Sequence, residues 1–171
     1  MTSTMSVTTG DALPAHYSGC FACGDVRGGL RMRFTAGPDE TILATFEVEE
    51  HHQGAPGIAH GGLIATAFDE ALGMLAYYTR EPAVTGRLTT EFRRPVPVGA
   101  VLHLQTRIDE RAGRKIMVSG TARLDGPDGP VAATVSAVFV TVPVEHFVKH
   151  GRAAEVAAAR VEQHWLDGSP Q

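Results

Sequence analysis

Two acids within an apolar stretch are the residues best placed to do chemistry. Asp69 and Glu70 lie inside Leu63–Tyr78, and His60-Gly61-Gly62 leads directly into that run. The run reads as one helix of about four turns, apolar nearly all round. Burying a carboxylate is costly unless it is paired or used. At about 100° per residue, Asp69 shares a face with Gly62, Ala65, Thr66, Gly73 and Ala76. Another backbone or a thin ligand can come close to such a face. Two readings of Asp69 stand: an ion pair with a buried Arg, or a general base or nucleophile. Glu70 falls toward the edge with Tyr77, where an ion-pair partner is expected. The N-terminus of a helix presents unpaired N–H groups and the positive end of the dipole. Gly61 and Gly62 can therefore meet a developing oxyanion, and glycine leaves room for a substrate.

Other chemistries find less support. No Ser nucleophile elbow is present, and no Lys-Ser/Thr follows the glycines as a phosphate loop requires. Cys20 and Cys23 form a single C-x-x-C followed by Gly24, Gly28 and Gly29 rather than by a helix, unlike a thioredoxin-type pair. Only His16 is close in sequence, so the set falls short of a zinc site. Reduced structural thiols, no metal and no cofactor are expected. His51 and His52 are expected to be solvated. Arg93 and Arg94 end a strand and suit either phosphate binding or pairing with Glu91.

These residues need elements to hold them. Residues 1–15 read as a loose tail, and 16–29 as a Gly/Cys-rich loop. Leu30–Phe34 and Thr41–Val48 alternate as a hairpin around Gly37-Pro38-Asp39-Glu40. A Gly/Pro loop over 51–59 enters the helix, which Pro82 ends. Four strands follow: Val84–Arg93, Val101–Ile108, Lys115–Leu124 and Val131–Val142. Ala153–Trp165 reads as a further helix. The layout is α+β, with a long helix wrapped by a six-stranded antiparallel sheet. One domain over 16–145 and a helical tail over 146–171 are expected, without an internal repeat. The 171 residues are 43% hydrophobic with a net charge of −4, and no basic block supports a nucleic-acid partner. The opening residues lack a signal-peptide pattern, and no run suits a membrane span, so a cytoplasmic location is expected.

The strand order resembles the hotdog fold. Pro56-Gly57-Ile58-Ala59-His60-Gly61-Gly62 followed by Ala65–Ala71 is similar to the signature of PaaI-like acyl-CoA thioesterases. Cys20-Phe21-Ala22-Cys23-Gly24 with Gly29-Leu30 resembles the opening of the thioesterase superfamily member subgroup. Thr85–Gly99 resembles the strand and turn after the helix, so the resemblance covers roughly 18–145. It implies hydrolysis of an acyl-CoA thioester. Asp69 would be the general base or nucleophile, and the Gly61 N–H, with Gly62 beside it, would polarise the carbonyl. His60 would be the motif histidine, and Thr85 would orient water. Several relatives carry Asn where Gly54 stands, and Gln53 is the nearest amide, so both are expected near substrate. The alternatives are a hotdog dehydratase or hydratase and a non-catalytic acyl-CoA-binding module.

Gly61 and Asp69 are separated by about 12 Å of helix rise. Both must lie within a few Å of one carbonyl carbon. One helix cannot serve one substrate with both groups, whereas two antiparallel copies can. A homodimer at minimum, or a dimer of dimers, is expected.

Overall fold

The computed structural model describes the backbone of residues 7–162 and the side chains of residues 7–159. Strands β1 (Ala12–Leu13), β2 (Arg33–Ala36) and β3 (Ile42–Glu47) come first. A small hairpin follows, β4 (Gln53–Ala55) and β5 (Ile58–Ala59), and then helix α1 (Gly61–Gly73) and the short α2 (Ala76–Thr79). Strands β6 (Ala83–Phe92), β7 (Val101–Ala112), β8 (Lys115–Leu124) and β9 (Val131–Thr141) complete the sheet, before α3 (Glu145–His150) and α4 (Ala153–Glu162). The main sheet is antiparallel throughout, in the order β1-β2-β3-β7-β8-β9-β6.

The two-residue alternation of the strands puts one face against α1. Ile42, Ala44 and Phe46 of β3 and Leu102, Leu104 and Thr106 of β7 are buried, while their neighbours are exposed or half-buried. From the helix, Ile64, Ala67, Phe68, Ala71 and Leu72 fill the concave face. Thr106 has a core position on its strand, and its hydroxyl donates to the Ala71 carbonyl at 3.1 Å. That bond satisfies a polar group that would otherwise be buried without a partner. The β8–β9 connection turns at Gly129, where a Cβ would lie 1.8 Å from the Leu124 carbonyl. Only glycine fits there.

Four departures from the sequence reading have local causes. The expected loose tail contributes an edge strand, with Ala12 opposite Thr35 and Leu13 opposite Phe34. The first long strand starts at Arg33, because the N–H groups of Leu30 and Met32 donate to Phe21 and Ala22 of the cysteine loop. The helix breaks after Gly73, a poor helix former, and Leu75 N–H closes a tighter turn onto Leu72. The tail carries two short helices, α3 and α4; the stretch to Trp165 lies outside the described residues. Among the described residues, no helix is long and apolar enough to cross a membrane.

His52 corrects a further expectation: it is 1% exposed rather than solvated. Its ring packs edge-on against Phe46 at 5.2 Å, and Nδ1 accepts from the Glu49 N–H at 2.9 Å. Nε2 lies by the backbone of Gly28 and Gly29 without a full hydrogen bond. Burial first, and then the nearby His51 charge, lower its pKa from the ordinary 6.5. The unfolded chain therefore binds this proton more readily than the fold does. Stability is highest with His52 neutral and falls as pH drops below 6.5 toward the lowered value. Melting curves should shift downward from pH 8 to pH 5, and by less in His52→Gln. An equal shift in both proteins would refute the role given to this ring.

Candidate active site at the open face of the helix

The face of α1 that bears Asp69 is not covered by the sheet. Ala65, Thr66, Asp69, Gly73 and Ala76 are half-buried, and Gly62 is exposed. Asp69 and Thr85 are brought together from α1 and β6: the Thr85 hydroxyl donates to Asp69 Oδ1 at 2.6 Å. No buried Arg pairs with Asp69 among the described residues. Fixing one oxygen by a short hydrogen bond leaves Oδ2 with its lone pairs directed elsewhere.

Below this pair opens a cavity of about 500 Å³, a size that suits a small-molecule ligand. Leu72 and Met74 from the helical layer, Val118 and Phe139 from the sheet, and Phe147 and Val156 from the C-terminal helices make its walls apolar. The tail helices thus complete a pocket that α1 and the sheet leave unfinished.

At the start of α1, His60 is the N-cap. Its Nδ1 accepts from the Gly62 N–H at 2.9 Å, and its own N–H donates to the His52 carbonyl at 2.8 Å. The cap thus consumes the Gly62 N–H. No acceptor for the Gly61 N–H is found among the described residues. A Cβ on Gly61 would meet Phe92 Cζ at 3.3 Å, so the helix start passes close beneath the end of β6. Phe92 itself is 54% exposed.

A family model described as the thioesterase superfamily matches residues 56–130. A putative esterase of Pseudomonas aeruginosa is 35% identical over 57% of this chain and 73% of its own length. The chain belongs to the thioesterase superfamily. Acyl-coenzyme A thioesterase THEM4 of Xenopus laevis is 28% identical over 60% of this chain and 46% of that protein. The chain spans less than half the length of the THEM4 relatives it matches. The Escherichia coli PaaI protein from the phenylacetic acid degradation operon shares the fold, with a TM-score of 0.61 at 15% identity over 66% of this chain and 80% of that one. The hotdog layout expected from the strand order is therefore the superfamily's own.

Other expected site residues of this superfamily member have different surroundings. Gln53 is used within its loop: Nε2 donates to the Glu50 carbonyl at 2.8 Å, and Oε1 accepts from the Gly57 N–H at 2.6 Å. It braces the β4–β5 hairpin. Gly54 is required by packing, since a Cβ there would stand 2.9 Å from His60 Cα. Arg93 pairs with Glu91, and both are exposed, so the pair adds little to stability. Arg94 is exposed, with no acidic partner among the described residues.

Glu70 is the residue that sequence reasoning undervalued. Its Oε1 lies 2.6 Å from His16 Nδ1, and the Cys20 thiol donates to its Oε2 at 3.4 Å. Burial works to raise its carboxyl, but hydrogen bonding and charge from His16, with help from both thiols, hold it below its ordinary range. Cys23 Sγ lies 3.1 Å from the same His16 nitrogen. Cys20 is the more acidic thiol of the two, drawn down to about 6 chiefly by the hydrogen bond from Cys23. Cys23, which donates that bond, is pushed up. The expectation that the cysteine pair lacks further ligand-type neighbours does not hold. Glu70 is 54 residues beyond His16 in sequence, and only the fold brings them together.

Proposed function

We propose that this chain hydrolyses acyl thioesters of coenzyme A, releasing the free acid and the thiol. The observation that carries the reading is the Thr85–Asp69 hydrogen bond at 2.6 Å beside an apolar cavity of about 500 Å³. The names of the THEM4 relatives supply the substrate class. With Oδ1 held by Thr85, Oδ2 of Asp69 accepts a proton from water as the oxygen attacks the thioester carbon. Negative charge develops on the carbonyl oxygen and is met by the Gly61 N–H of a second copy. Collapse breaks the carbon–sulfur bond, and the proton held by Asp69 passes to the departing thiolate. Direct attack by Asp69 on the carbon is the variant of this scheme.

The second copy is part of the reading. Among the described residues, strand β6 ends the sheet and pairs only with β9. A ten-residue unpaired edge invites a partner strand. Edge pairing beside the open face of α1 would run two helices antiparallel, one copy's N-terminus beside the other's Asp69. Arg94, near the end of β6, is available to the phosphates of coenzyme A.

Free-thiol release from short, medium, long and aryl acyl-CoAs tests the activity, and light scattering tests the assembly. Turnover on at least one class by a species no smaller than a dimer is the expected result. A strictly monomeric active species would end the composite-site scheme.

A further inference from the structure

We propose that His16, Cys20, Cys23 and Glu70 form a structural zinc site that clamps the cysteine loop to helix α1. This inference does not depend on the reaction assigned to Asp69. The four ligand atoms all lie within 4.8 Å of one another. The separations are 2.6 Å from His16 Nδ1 to Glu70 Oε1, 3.1 Å from His16 Nδ1 to Cys23 Sγ and 3.4 Å from Cys20 Sγ to Glu70 Oε2. Metal–ligand bonds of about 2.0–2.3 Å place the donors of a tetrahedral shell roughly 3.3–3.8 Å apart. The cluster brackets that size, its separations running from 2.6 Å to no more than 4.8 Å, so side-chain adjustments that open the shorter contacts and close the longer ones admit the ion.

The donor set is selective. Two thiolates, an imidazole and a carboxylate are ligands that zinc takes, and tetrahedral coordination by sulfur and nitrogen favours zinc over magnesium or calcium. Four protein donors leave no open position, which marks a structural rather than a catalytic ion. Burial is graded in the way such a site needs: Cys23 is 4% exposed, the Glu70 side chain 11% and the His16 side chain 38%. Up to three anions in a half-buried cluster are costly unless a cation neutralises them.

The loop is built around the sulfurs. The Ala22 N–H donates to Cys20 Sγ at 3.4 Å, and the Gly24 N–H to the Cys20 carbonyl at 2.9 Å. An N–H aimed at a thiolate is the kind of outer-shell contact that orients and stabilises a metal ligand. Gly24 leaves no alternative to this turn, since a Cβ would fall 2.1 Å from the Ser18 carbonyl. The loop meets α1 here through the His16–Glu70 ion pair and the Cys20–Glu70 hydrogen bond. With a bridging ion, residues 16–23 are fixed to the turn of helix that carries Asp69. His16 and Tyr17 also line the cavity beside Asp69, so the clamp shapes one wall of the pocket.

Cobalt is the spectroscopic probe. The full chain, stripped by chelator and kept reduced, is titrated with Co²⁺ and then with Zn²⁺. The expected result is an equimolar endpoint with the intense visible bands of tetrahedral cobalt and sulfur-to-metal charge transfer. Zinc should bleach these bands, protect both thiols from a thiol reagent and raise the melting temperature. Cys20→Ser and Glu70→Gln should each weaken binding by more than the roughly 10–100-fold that loss of an outer-shell partner costs. Glu70→Gln preserves shape and keeps the variant folded if Cys23→Ser does not fold. Asp69→Asn should bind cobalt as wild type does. Pale octahedral spectra, thiols equally reactive with and without zinc, or a Glu70→Gln protein that binds like wild type would each overturn the site.

Discussion

Asp69→Asn is expected to lower thioester turnover by at least about a hundredfold, the scale expected for removing a general base. The loss should appear in kcat with KM little changed, because the carboxylate acts on water rather than on the bound acyl group. Stability should hardly move. Asp69 is half-buried with Thr85 as its hydrogen-bond partner, and an Asn oxygen accepts the same bond. Substitutions that strand no buried group usually change stability by less than about 0.5 kcal/mol. A melting curve matched to wild type, together with lost thiol release, is therefore the full expected result. Thr85→Val gives the contrasting outcome: the base remains, but Oδ1 loses a hydrogen bond worth about 1.5–3 kcal/mol to a charged group. Its turnover should fall between those of wild type and Asp69→Asn. Asp69→Asn protein that retained activity within about tenfold of wild type would remove Asp69 from the mechanism.

Much of this arrangement was legible in residue patterns, and the rest depended on contacts across long sequence gaps. Alternation puts Leu102, Leu104, Thr106 and Ile108 on one face of a strand, and the first three are buried while Ile108 is half-buried. Helical spacing separated Phe68 and Ala71 from the small residues around Asp69, and the structure divides them in the same way. A short motif can announce a local geometry such as His60 before two glycines, but it cannot say which N–H the cap consumes. That question is decided by the His60 rotamer, which spends Gly62 and leaves Gly61. Glu70 shows the larger limit. Its helical position suggested an edge, whereas its partners His16 and Cys20 arrive from a loop 54 and 50 residues earlier. His52 was misplaced for a related reason, because a Gly/Pro-rich loop reads as solvated until Phe46 is seen to lie against it. Gln53 likewise looked available until its own loop claimed both ends of the amide.

Gly61→Pro should cost about 10²–10³ in kcat, the loss seen when one oxyanion donor is removed. The substitution is unusually clean on physical grounds. Proline deletes the N–H and nothing else that the helix uses, since the first helical position has no intrahelical acceptor for it. Proline requires an extended residue before it, and His60 has φ −65° and ψ 127°. The new ring approaches Phe92, which is 54% exposed and has room to shift. Gly62→Pro differs from it: besides removing the N–H bonded to His60 Nδ1, it disfavours the helical geometry of Gly61 before it, so it should cost more stability than the roughly 1 kcal/mol of a lost cap. Mixing then tests whether the site is shared. Gly61→Pro and Asp69→Asn protomers, each nearly inactive alone, form hybrid dimers in which one of the two sites receives both defects and the other neither. Random exchange makes half of the dimers hybrid, so activity should recover to about a quarter of wild type. Recovery can occur only if the N–H and the carboxylate serving one thioester come from different copies. Mixtures that stay as inactive as their parents, after exchange of subunits has been verified, would return both groups to a single chain and contradict the spacing argument.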